Sequence, residues 1–166
     1  MSDPQQFLDL VEKHKGIVVR ICSVYAKRRD ERDDLFQEII VQLWRAWPAF
    51  EGRSQFSTWM YRIALNTAIS GLRKKTATLV FIDHDAIPEL MDPGTDLHKE
   101  EQLSLLYQAV RELPEIDKAL VMLYLDDHSY EEMEVILGIN QGALRTKMNR
   151  AKEKLKKNIE RIQHGA

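Results

Sequence analysis

Apolar residues recur at intervals of three and four along the first third of this chain. In the first stretch, which opens with Asp3 and Pro4, the recurring residues are Phe7, Val11, His14, Val18, Ile21, Cys22 and Tyr25. In the second stretch, from about Asp30 to Ala46, they are Leu35, Ile39, Leu43 and Trp44. This spacing places side chains on one face of an α-helix, so it predicts two amphipathic helices whose apolar faces turn inward.

Turn-forming residues separate the second helix from a third. Pro48 ends the second helix, and Gly52 marks a turn in the loop at residues 50–56. Ser57 is the predicted cap of a third helix, roughly residues 58–75, which ends in three basic residues.

The composition changes after this third helix. Residues 76–102 are rich in Asp and Glu and contain Pro88, which is typical of an extended linker. Helical spacing resumes at residues 103–113 and again at 115–125, on either side of Pro114. The predicted fold class is all-α, with two small helical domains joined by a flexible acidic linker.

The stretch after residue 128 has the pattern of a helix-turn-helix. Ser129 and Glu132 form an S-x-x-E capping box at a helix start. The apolar face of that helix comprises Tyr130, Met133, Ile136 and Leu137. Gly138 stops the helix, since glycine readily adopts the left-handed conformation, and Asn140 is a natural N-cap for the next helix.

The second helix of this motif has two contrasting faces. Its predicted buried stripe comprises Leu144, Met148, Ala151, Leu155, Ile159 and Ile162. The opposite face carries Gly142, Arg145, Thr146, Asn149, Arg150 and Glu153, with Lys147 and Lys152 at the flanks. Short polar residues and arginines on one helix face suit the DNA major groove, where Arg reads guanine, Asn reads adenine and Lys holds phosphates. The alternative interpretation is a solvated helix with ordinary surface charge.

Charge and cysteine content narrow the class of protein. The chain has 166 residues, one cysteine and a formal net charge of −2. A lone cysteine excludes a disulfide framework within the chain. No stretch is apolar enough to span a membrane, and the polar start is unlike a signal peptide, so we expect a cytoplasmic location. A net negative charge is unusual for a protein that binds DNA unaided. We therefore expect segregated charge, or a partner that assists DNA binding.

Two surfaces in the first domain are candidates for interaction. Phe36, Gln37, Ile40 and Val41 lie near Asp34 and Glu38 on the outer side of the second helix, which is typical of a docking surface. No nucleophile, histidine or glycine-rich loop accompanies these carboxylates, so no catalytic, metal or cofactor site is predicted.

The second candidate surface joins the loop at residues 50–56 to the third helix. Aromatic residues beside Arg62 and Arg73 can take up unstacked bases, because rings stack on bases while arginines hold the backbone. The alternative interpretation of Trp59 and Phe56 is that they are simply core residues.

Several short motifs, in order, resemble those of one protein family. Residues 34–38 read DLFQE, Phe50 and Gly52 follow at F-x-G spacing, and residues 56–66 read FSTWMYRIALN. Leu113-Pro114, the SYEE run at 129–132, and an R-A-x-x-x-L run from Arg150 complete the set. In this combination the chain resembles the extracytoplasmic-function group of the sigma-70 family, from near residue 7 to near residue 158.

The resemblance implies a division of labour. Residues 7–75 would be sigma region 2, residues 76–102 a linker that threads the polymerase cleft, and residues 103–158 sigma region 4. The implied partners are core RNA polymerase, promoter DNA and an anti-sigma factor; the chain itself would not be an enzyme. The residues implied to bind core polymerase are Asp34, Leu35, Phe36, Gln37 and Glu38. Those implied to recognise and melt the −10 element are Phe50, Gly52, Arg53, Ser54, Phe56, Trp59, Arg62, Asn66 and Arg73. Those implied to read the −35 element are Gln141, Gly142, Arg145, Thr146, Lys147, Asn149, Arg150 and Lys152.

Two positions depart from the family pattern. Glu134 stands where a small alanine is usual, so its carboxylate must point outward or tilt the two helices of the motif. Ser70 stands where an acidic residue is common. The runner-up interpretation is a stand-alone helix-turn-helix regulator of duplex DNA, which would not need the DLFQE motif. An adaptor that docks proteins only is disfavoured by Arg145 and Asn149.

Overall fold

The computed structural model describes residues 3–74 and 97–165, with side chains at 3–70 and 99–165. Within those ranges the secondary structure is helical, as predicted. The helices are α1 (Pro4–Tyr25), α2 (Arg29–Ala46), α3 (Phe56–Lys74), α4 (Leu97–Arg111), α5 (Glu115–Leu125), α6 (Tyr130–Leu137) and α7 (Gln141–His164). A 3-10 turn, Trp47–Ala49, follows α2 at Pro48.

The helices form two compact units, α1–α3 and α4–α7. In the first unit each helix packs against the other two. Its most deeply buried side chains include Val18, Ile21, Ile39, Leu43, Met60, Tyr61, Ala64 and Leu65. Cys22 is also buried, which confirms its prediction as a core residue. Asp3 caps α1, because its side chain accepts a hydrogen bond from the Gln5 backbone N–H at 3.0 Å.

In the second unit α7 packs against α4, α5 and α6. The shared core comprises Val110, Leu120, Leu123, Met133, Leu144, Met148 and Ala151. Across residues 3–74 and 97–165, no helix combines the length and the apolar character that crossing a bilayer requires.

Three predictions about the helices need correction. Trp44 was expected to face inward, but 49% of it is exposed, because it lies one residue beyond the inward stripe that ends at Leu43. The third helix begins at Phe56, so Ser57 lies inside it and does not cap it. The predicted linker at 76–102 is helical from Leu97 onward, and its residues 76–96 lie outside the described part of the chain.

Candidate nucleic-acid interface

Each end of the short helix α6 is fixed by its own residues. The Glu132 N–H donates to Ser129 Oγ at 3.1 Å, and the Glu132 carboxylate in turn accepts a hydrogen bond from the Ser129 N–H. The predicted capping box is therefore confirmed. Gly138 ends the helix with a φ of 70°, in the left-handed region that favours glycine. Asn140 caps α7 by accepting from the Ala143 N–H at 2.9 Å. These caps hold both helices of the motif by local chemistry.

A histidine supports the capping box from outside. His128 Nδ1 lies 2.9 Å from a carboxylate oxygen of Glu132. Burial by itself would raise the pKa of Glu132, but the hydrogen bonds from His128 and Ser129 outweigh it and lower that pKa. The capping carboxylate therefore stays ionised to a lower pH than an ordinary glutamate.

Helix α7 separates into a buried and an exposed face, as predicted. Leu144, Met148 and Ala151 are fully buried, whereas Leu155, Ile159 and Ile162 of the predicted stripe are only half-buried. The residues proposed from sequence to face a DNA groove are all exposed, apart from the half-buried Gln141; they are Gly142, Arg145, Thr146, Lys147, Asn149, Arg150 and Lys152. The motif therefore presents one continuous polar surface along the first three turns of α7.

The cations of α7 also divide along its length. In its second half, the Lys154 ammonium pairs with Asp117 at 3.1 Å and the Arg161 guanidinium pairs with Glu112. In its first half, Arg145, Lys147 and Arg150 form no ion pair with any residue that the structure describes. Lys156 and Lys157, also in the second half, form no ion pair with a described residue, so the amino-terminal half differs in that none of its cations is neutralised.

Two of the exposed cations rest on aromatic rings. The Arg145 guanidinium lies over Tyr130 of α6, 5.1 Å from the ring centroid. The Lys152 ammonium lies over Tyr124 of α5 at 4.0 Å. A cation–π contact is an electrostatic attraction to the ring and engages no hydrogen-bond acceptor, so the N–H groups of both cations can still bind a base or a phosphate. Both side chains are therefore preoriented without losing their donors.

Glu134 points across the turn toward α7. Gln141 Nε2 donates a hydrogen bond to Glu134 Oε2 at 3.1 Å, and both residues are half-buried. The sequence left open whether this carboxylate would turn outward or tilt the helices. It instead turns toward the first residue of α7, and Met133 beside it fills the core.

In the first unit, aromatic rings gather where α2 ends and α3 begins. Trp47 is only 5% exposed and lies within 6.3 Å, centroid to centroid, of Phe7, Phe50, Phe56 and Trp59. We call these five rings the aromatic cluster. Phe50 is half-buried and stacks on Trp47, with an interplanar angle of 21°. The cluster ties the start of the 50–56 loop to α1 and α3.

The rings of the cluster differ in burial, which bears on the two interpretations of Phe56 and Trp59. Phe56 is buried and also contacts the His14 imidazole at 5.5 Å, so it is a core residue. The rings of Trp59 and Phe50 lie 4.8 Å apart, centroid to centroid. Both residues are half-buried, so both remain partly accessible to solvent. Burial, with a smaller contribution from Lys13, lowers the pKa of His14.

The loop and the outer face of α3 carry the remaining polar candidates. Gly52 has a φ of 72°, which confirms its prediction at a turn. The exposed Arg53 pairs with Glu51 at 2.9 Å, an interaction worth little at a surface. Arg62 and Asn66 are exposed and follow Trp59 at helical spacing, and Ser54 is half-buried. The side chain of Arg73 lies outside the described part of the chain.

Helix α2 presents a stripe that is polar at one end and apolar at the other. Gln37 and Glu38 are exposed, and Asp34 and Phe36 are half-buried. Val41 and Trp44 continue the stripe at helical spacing, 41% and 49% exposed. Leu35 is 6% exposed, so its side chain belongs to the core and not to the predicted docking surface.

Comparison with known proteins accounts for both units together. The family model for sigma-70 region 2 matches residues 10–78, and the model for sigma-70 region 4 matches residues 103–155. The ECF RNA polymerase sigma-E factor of Escherichia coli K12 is 29% identical over 171 residues, which span 96% of this chain and 89% of that protein. This chain belongs to the extracytoplasmic-function group of the sigma-70 family.

Other relatives agree with this assignment. The sigma-E factor of Haemophilus influenzae is 28% identical, across 96% of this sigma factor and 90% of that one. The solved structure of CnrH with the cytosolic domain of CnrY has a TM-score of 0.67 at 19% identity, covering 95% of this chain and 90% of CnrH. The sigma factor RpoE of Bartonella quintana, solved with the anti-sigma factor NepR, has a TM-score of 0.64 at 22% identity, covering 92% and 97%. Because both structures share less than a quarter of their residues with this chain, they support its fold and nothing further.

The family assignment settles the class of function. This sigma factor directs RNA polymerase to specific promoters for transcription initiation. The runner-up, a stand-alone regulator of duplex DNA, is wrong, because the first unit matches sigma-70 region 2.

Sequence reasoning missed several residues that shape these surfaces. Asp33 is buried at 7% exposure although it belongs to an acidic helix start. Tyr124 and Tyr130 support the cations of α7 from neighbouring helices. The signal available in the sequence was the position of these tyrosines, one just before the helix-turn-helix and one within it.

Proposed function

We propose that this sigma factor divides three tasks among its elements. The α2 stripe docks on core RNA polymerase, the 50–56 loop and α3 open and hold the −10 element, and α7 reads the −35 element. Residues 7–75 and 103–158 then act as regions 2 and 4, and the linker that joins them ends where α4 begins at Leu97. The observation that carries the proposal is the run of unpaired cations along the amino-terminal half of α7.

Docking through α2 follows from the stripe's mixed character. An exposed Val41 and half-exposed Trp44 supply apolar area, while Gln37 and Glu38 supply hydrogen-bonding groups. Exposed apolar side chains rimmed by polar ones are typical of protein interfaces. Leu35 contributes from beneath by holding α2 in place.

Replacing both Asp34 and Gln37 with alanine should weaken binding to core polymerase and leave the fold intact. A fluorescence titration of the variant with core enzyme measures this. Leu8→Ala, which alters an exposed apolar residue on α1, is the matched control and should bind normally. Equal affinity of the double variant and the original protein would remove α2 from the proposal.

Capture of unpaired bases follows from the partly exposed rings. Phe50 and Trp59 lie close together, each with part of its ring in solvent, and Arg62 and Asn66 lie along the same helix. Removing a base from the duplex stack costs roughly a few kcal/mol, and stacking of that base on an aromatic face offsets this cost. Gly52 and Ser54 would let the loop close around a base, with Arg53 and Arg73 near the backbone.

Reading of the −35 element follows from the exposed face of α7. Arg145 and Asn149 lie one turn apart, so both can enter the same stretch of major groove. Lys147 and Lys152 lie at the flanks of that face, where phosphates are within reach, and Gln141, Gly142, Thr146 and Arg150 complete it. The first turns of α7 would therefore contact base edges and the backbone together.

The division between base and phosphate contacts can be tested on the holoenzyme. Arg145→Ala should cost roughly 1–3 kcal/mol and flatten one column of the −35 motif, since a bidentate base contact is lost. Lys152→Ala should weaken all sequences alike and lower the salt slope by about one unit. Binding to a set of −35 variants at several salt concentrations measures both.

The matched control is Lys154→Ala, because that ammonium is already paired with Asp117. It should change neither the motif nor the salt slope. If Lys152→Ala altered base preference while Arg145→Ala did not, the proposed rotation of α7 in the groove would be wrong.

The remaining roles follow from these contacts. The chain acts by binding, in the cytoplasm, and the polymerase forms the phosphodiester bonds. The Bartonella relative was solved with an anti-sigma factor, and we propose that a partner of that kind holds this chain as well. Such a partner would be recognised by its competition with core polymerase in the same titration.

A further inference from the structure

The hydrogen bond between Gln141 and Glu134 joins the two helices of the motif at a position where DNA would lie. Its donor, Gln141 Nε2, belongs to the first residue of α7, and its acceptor, Glu134 Oε2, is 3.1 Å away on α6. A carboxylate only accepts hydrogen bonds, so the nitrogen of the Gln141 amide must face Glu134. The hydrogen bond to Glu134 therefore fixes the orientation of the Gln141 amide group.

This orientation limits what Gln141 can offer to a base. One N–H of the amide is engaged by Glu134, which leaves Oε1 as an acceptor beside the second N–H. Among the residues that the structure describes, none donates a hydrogen bond to Gln141 Oε1. An acceptor next to a donor matches adenine, whose major-groove edge offers the N6 amine next to N7. Guanine offers two acceptors there, so its O6 would oppose Oε1.

Without a fixed partner the amide would not discriminate in this way. The last torsion of a glutamine side chain has two broad, nearly equivalent positions. A half-turn about that torsion exchanges oxygen and nitrogen and presents two N–H donors to guanine. Discrimination between adenine and guanine thus depends on what holds the amide in one of its two positions.

We infer that Glu134 is a positioning residue that makes Gln141 favour adenine over guanine at one position of the −35 element. The inference rests on the proposed function, in which the first turns of α7 enter the major groove. It also accounts for a carboxylate beside a DNA-binding helix, where its charge repels phosphates. Affinity for every sequence falls, while the gap between right and wrong bases widens.

The decisive variant is Glu134→Gln, which keeps the shape of the side chain. A glutamine can donate or accept, so it can satisfy the Gln141 amide in both of its positions. In a −35 library transcribed by the holoenzyme, the original protein should show one column with adenine favoured about tenfold or more over guanine. Glu134→Gln and Glu134→Ala should bring the two bases in that column to within about threefold of each other.

Two further variants locate the effect. Gln141→Ala should flatten the same column, and combining it with Glu134→Gln should add nothing there. Glu131→Gln removes a charge from an exposed position of α6, so it should raise affinity for all sequences and leave every column unchanged. Thermal unfolding of each variant verifies that the fold is kept.

Each outcome decides the matter. If the original holoenzyme showed no base preference in any −35 column, the proposed function itself would fail, and the inference with it. If it showed a motif that Glu134→Gln left unchanged, only the inference would fail. A column that responded equally to Glu131→Gln would make charge the cause. If the column that Gln141→Ala flattens did not favour adenine in the original protein, the assignment would also be overturned.

Discussion

The two units hold their candidate DNA contacts in opposite ways. In the first, Phe50 and Trp59 rest on other rings of the aromatic cluster at the junction of a loop and a helix. In the second, Arg145 and Asn149 project from a helix whose start is fixed by Asn140 and whose neighbour is fixed at both ends. One surface is built from packed side chains and the other from backbone hydrogen bonds.

This difference matches what each surface is proposed to do. Rings that touch mainly other rings can shift to admit a base, because apolar contacts have little directional preference. A helix that reads a groove must keep its rotation, since a change of register carries every side chain away from its base edge. The comparison predicts that damage to the aromatic cluster and damage to the caps will have distinct consequences.

The largest effect is expected from Trp47→Ala. Trp47 is 5% exposed and touches four rings, and truncating a buried tryptophan costs about 3–5 kcal/mol. The chain's three tryptophans all belong to the first unit, so urea unfolding followed by tryptophan fluorescence reports on that unit. The stability of the second unit should be unchanged.

Trp59→Ala is the paired variant. Because Trp59 is only half-buried, its loss should cost the fold less than the loss of Trp47, yet strand opening at the −10 element should fall sharply. Permanganate reactivity of unpaired thymines measures opening. If the two variants lost equal stability, the separation between a buried anchor and an exposed stacking ring would not hold.

A smaller effect is expected from Ser129→Ala, which removes one half of the capping box. Loss of such a cap costs about 1 kcal/mol, and the cost should fall on the second unit. Ser57→Ala provides the comparison in the first unit, because Ser57 lies inside α3 and caps nothing there. Its stability should stay the same or rise slightly, since alanine is the better helix former.

Both serine variants can be compared by thermal unfolding followed by circular dichroism. Ser129→Ala should also broaden −35 recognition slightly, because α6 and α7 share the turn at Gly138. A Ser57→Ala protein less stable than Ser129→Ala would restore Ser57 as a cap and contradict the helix start at Phe56.

The smallest expected effect is a difference between the two units in how their stability depends on pH. The folded pKa of His14 lies below its ordinary value of 6.5, so the unfolded chain binds the extra proton first. Its stabilising contribution is complete above pH 6.5 and declines as the pH falls below that value. The pKa of Glu132 lies below 4.5, so its contribution to the capping box is kept above 4.5 and declines only at lower pH.

Between about pH 6.5 and 5, His14 should therefore weaken the first unit while the capping box stays intact. Tryptophan-detected unfolding across this range tests the prediction. His14→Gln should flatten that pH dependence, and Glu132→Gln should leave it as it was. An unchanged slope in His14→Gln would show that another group is responsible.

Sequence reasoning succeeded where structure is local. Ser129, Gly138 and Asn140 were predictable because each cap is satisfied within three or four residues of its own position. Trp44 was assigned to the wrong side, since a ring that contacts Phe7 at 5.2 Å can remain half in solvent, and periodicity does not resolve such borderline angles. Leu35 is the opposite error: it was predicted to bind a partner because it belongs to the DLFQE motif, but it is buried in the core.

Contacts across turns were beyond the reach of the sequence. Arg145 lies on Tyr130, and Gln141 binds Glu134, only because the turn at Gly138 sets the angle between α6 and α7. Met133 and Ile136, which are buried in the core, hold α6 at that angle, and no single segment encodes their packing.

The two halves of α7 also bear on how such proteins diversify. Asn158, Lys154 and Arg161 fasten the second half to its surroundings, the first through a 3.1 Å hydrogen bond to the Ala109 carbonyl. Arg145 and Asn149, in the first half, take no part in that fastening. Mutations that redirect the protein to other promoters can therefore accumulate at little cost in folding, so a duplicated copy can acquire a new set of target genes while it keeps its old scaffold.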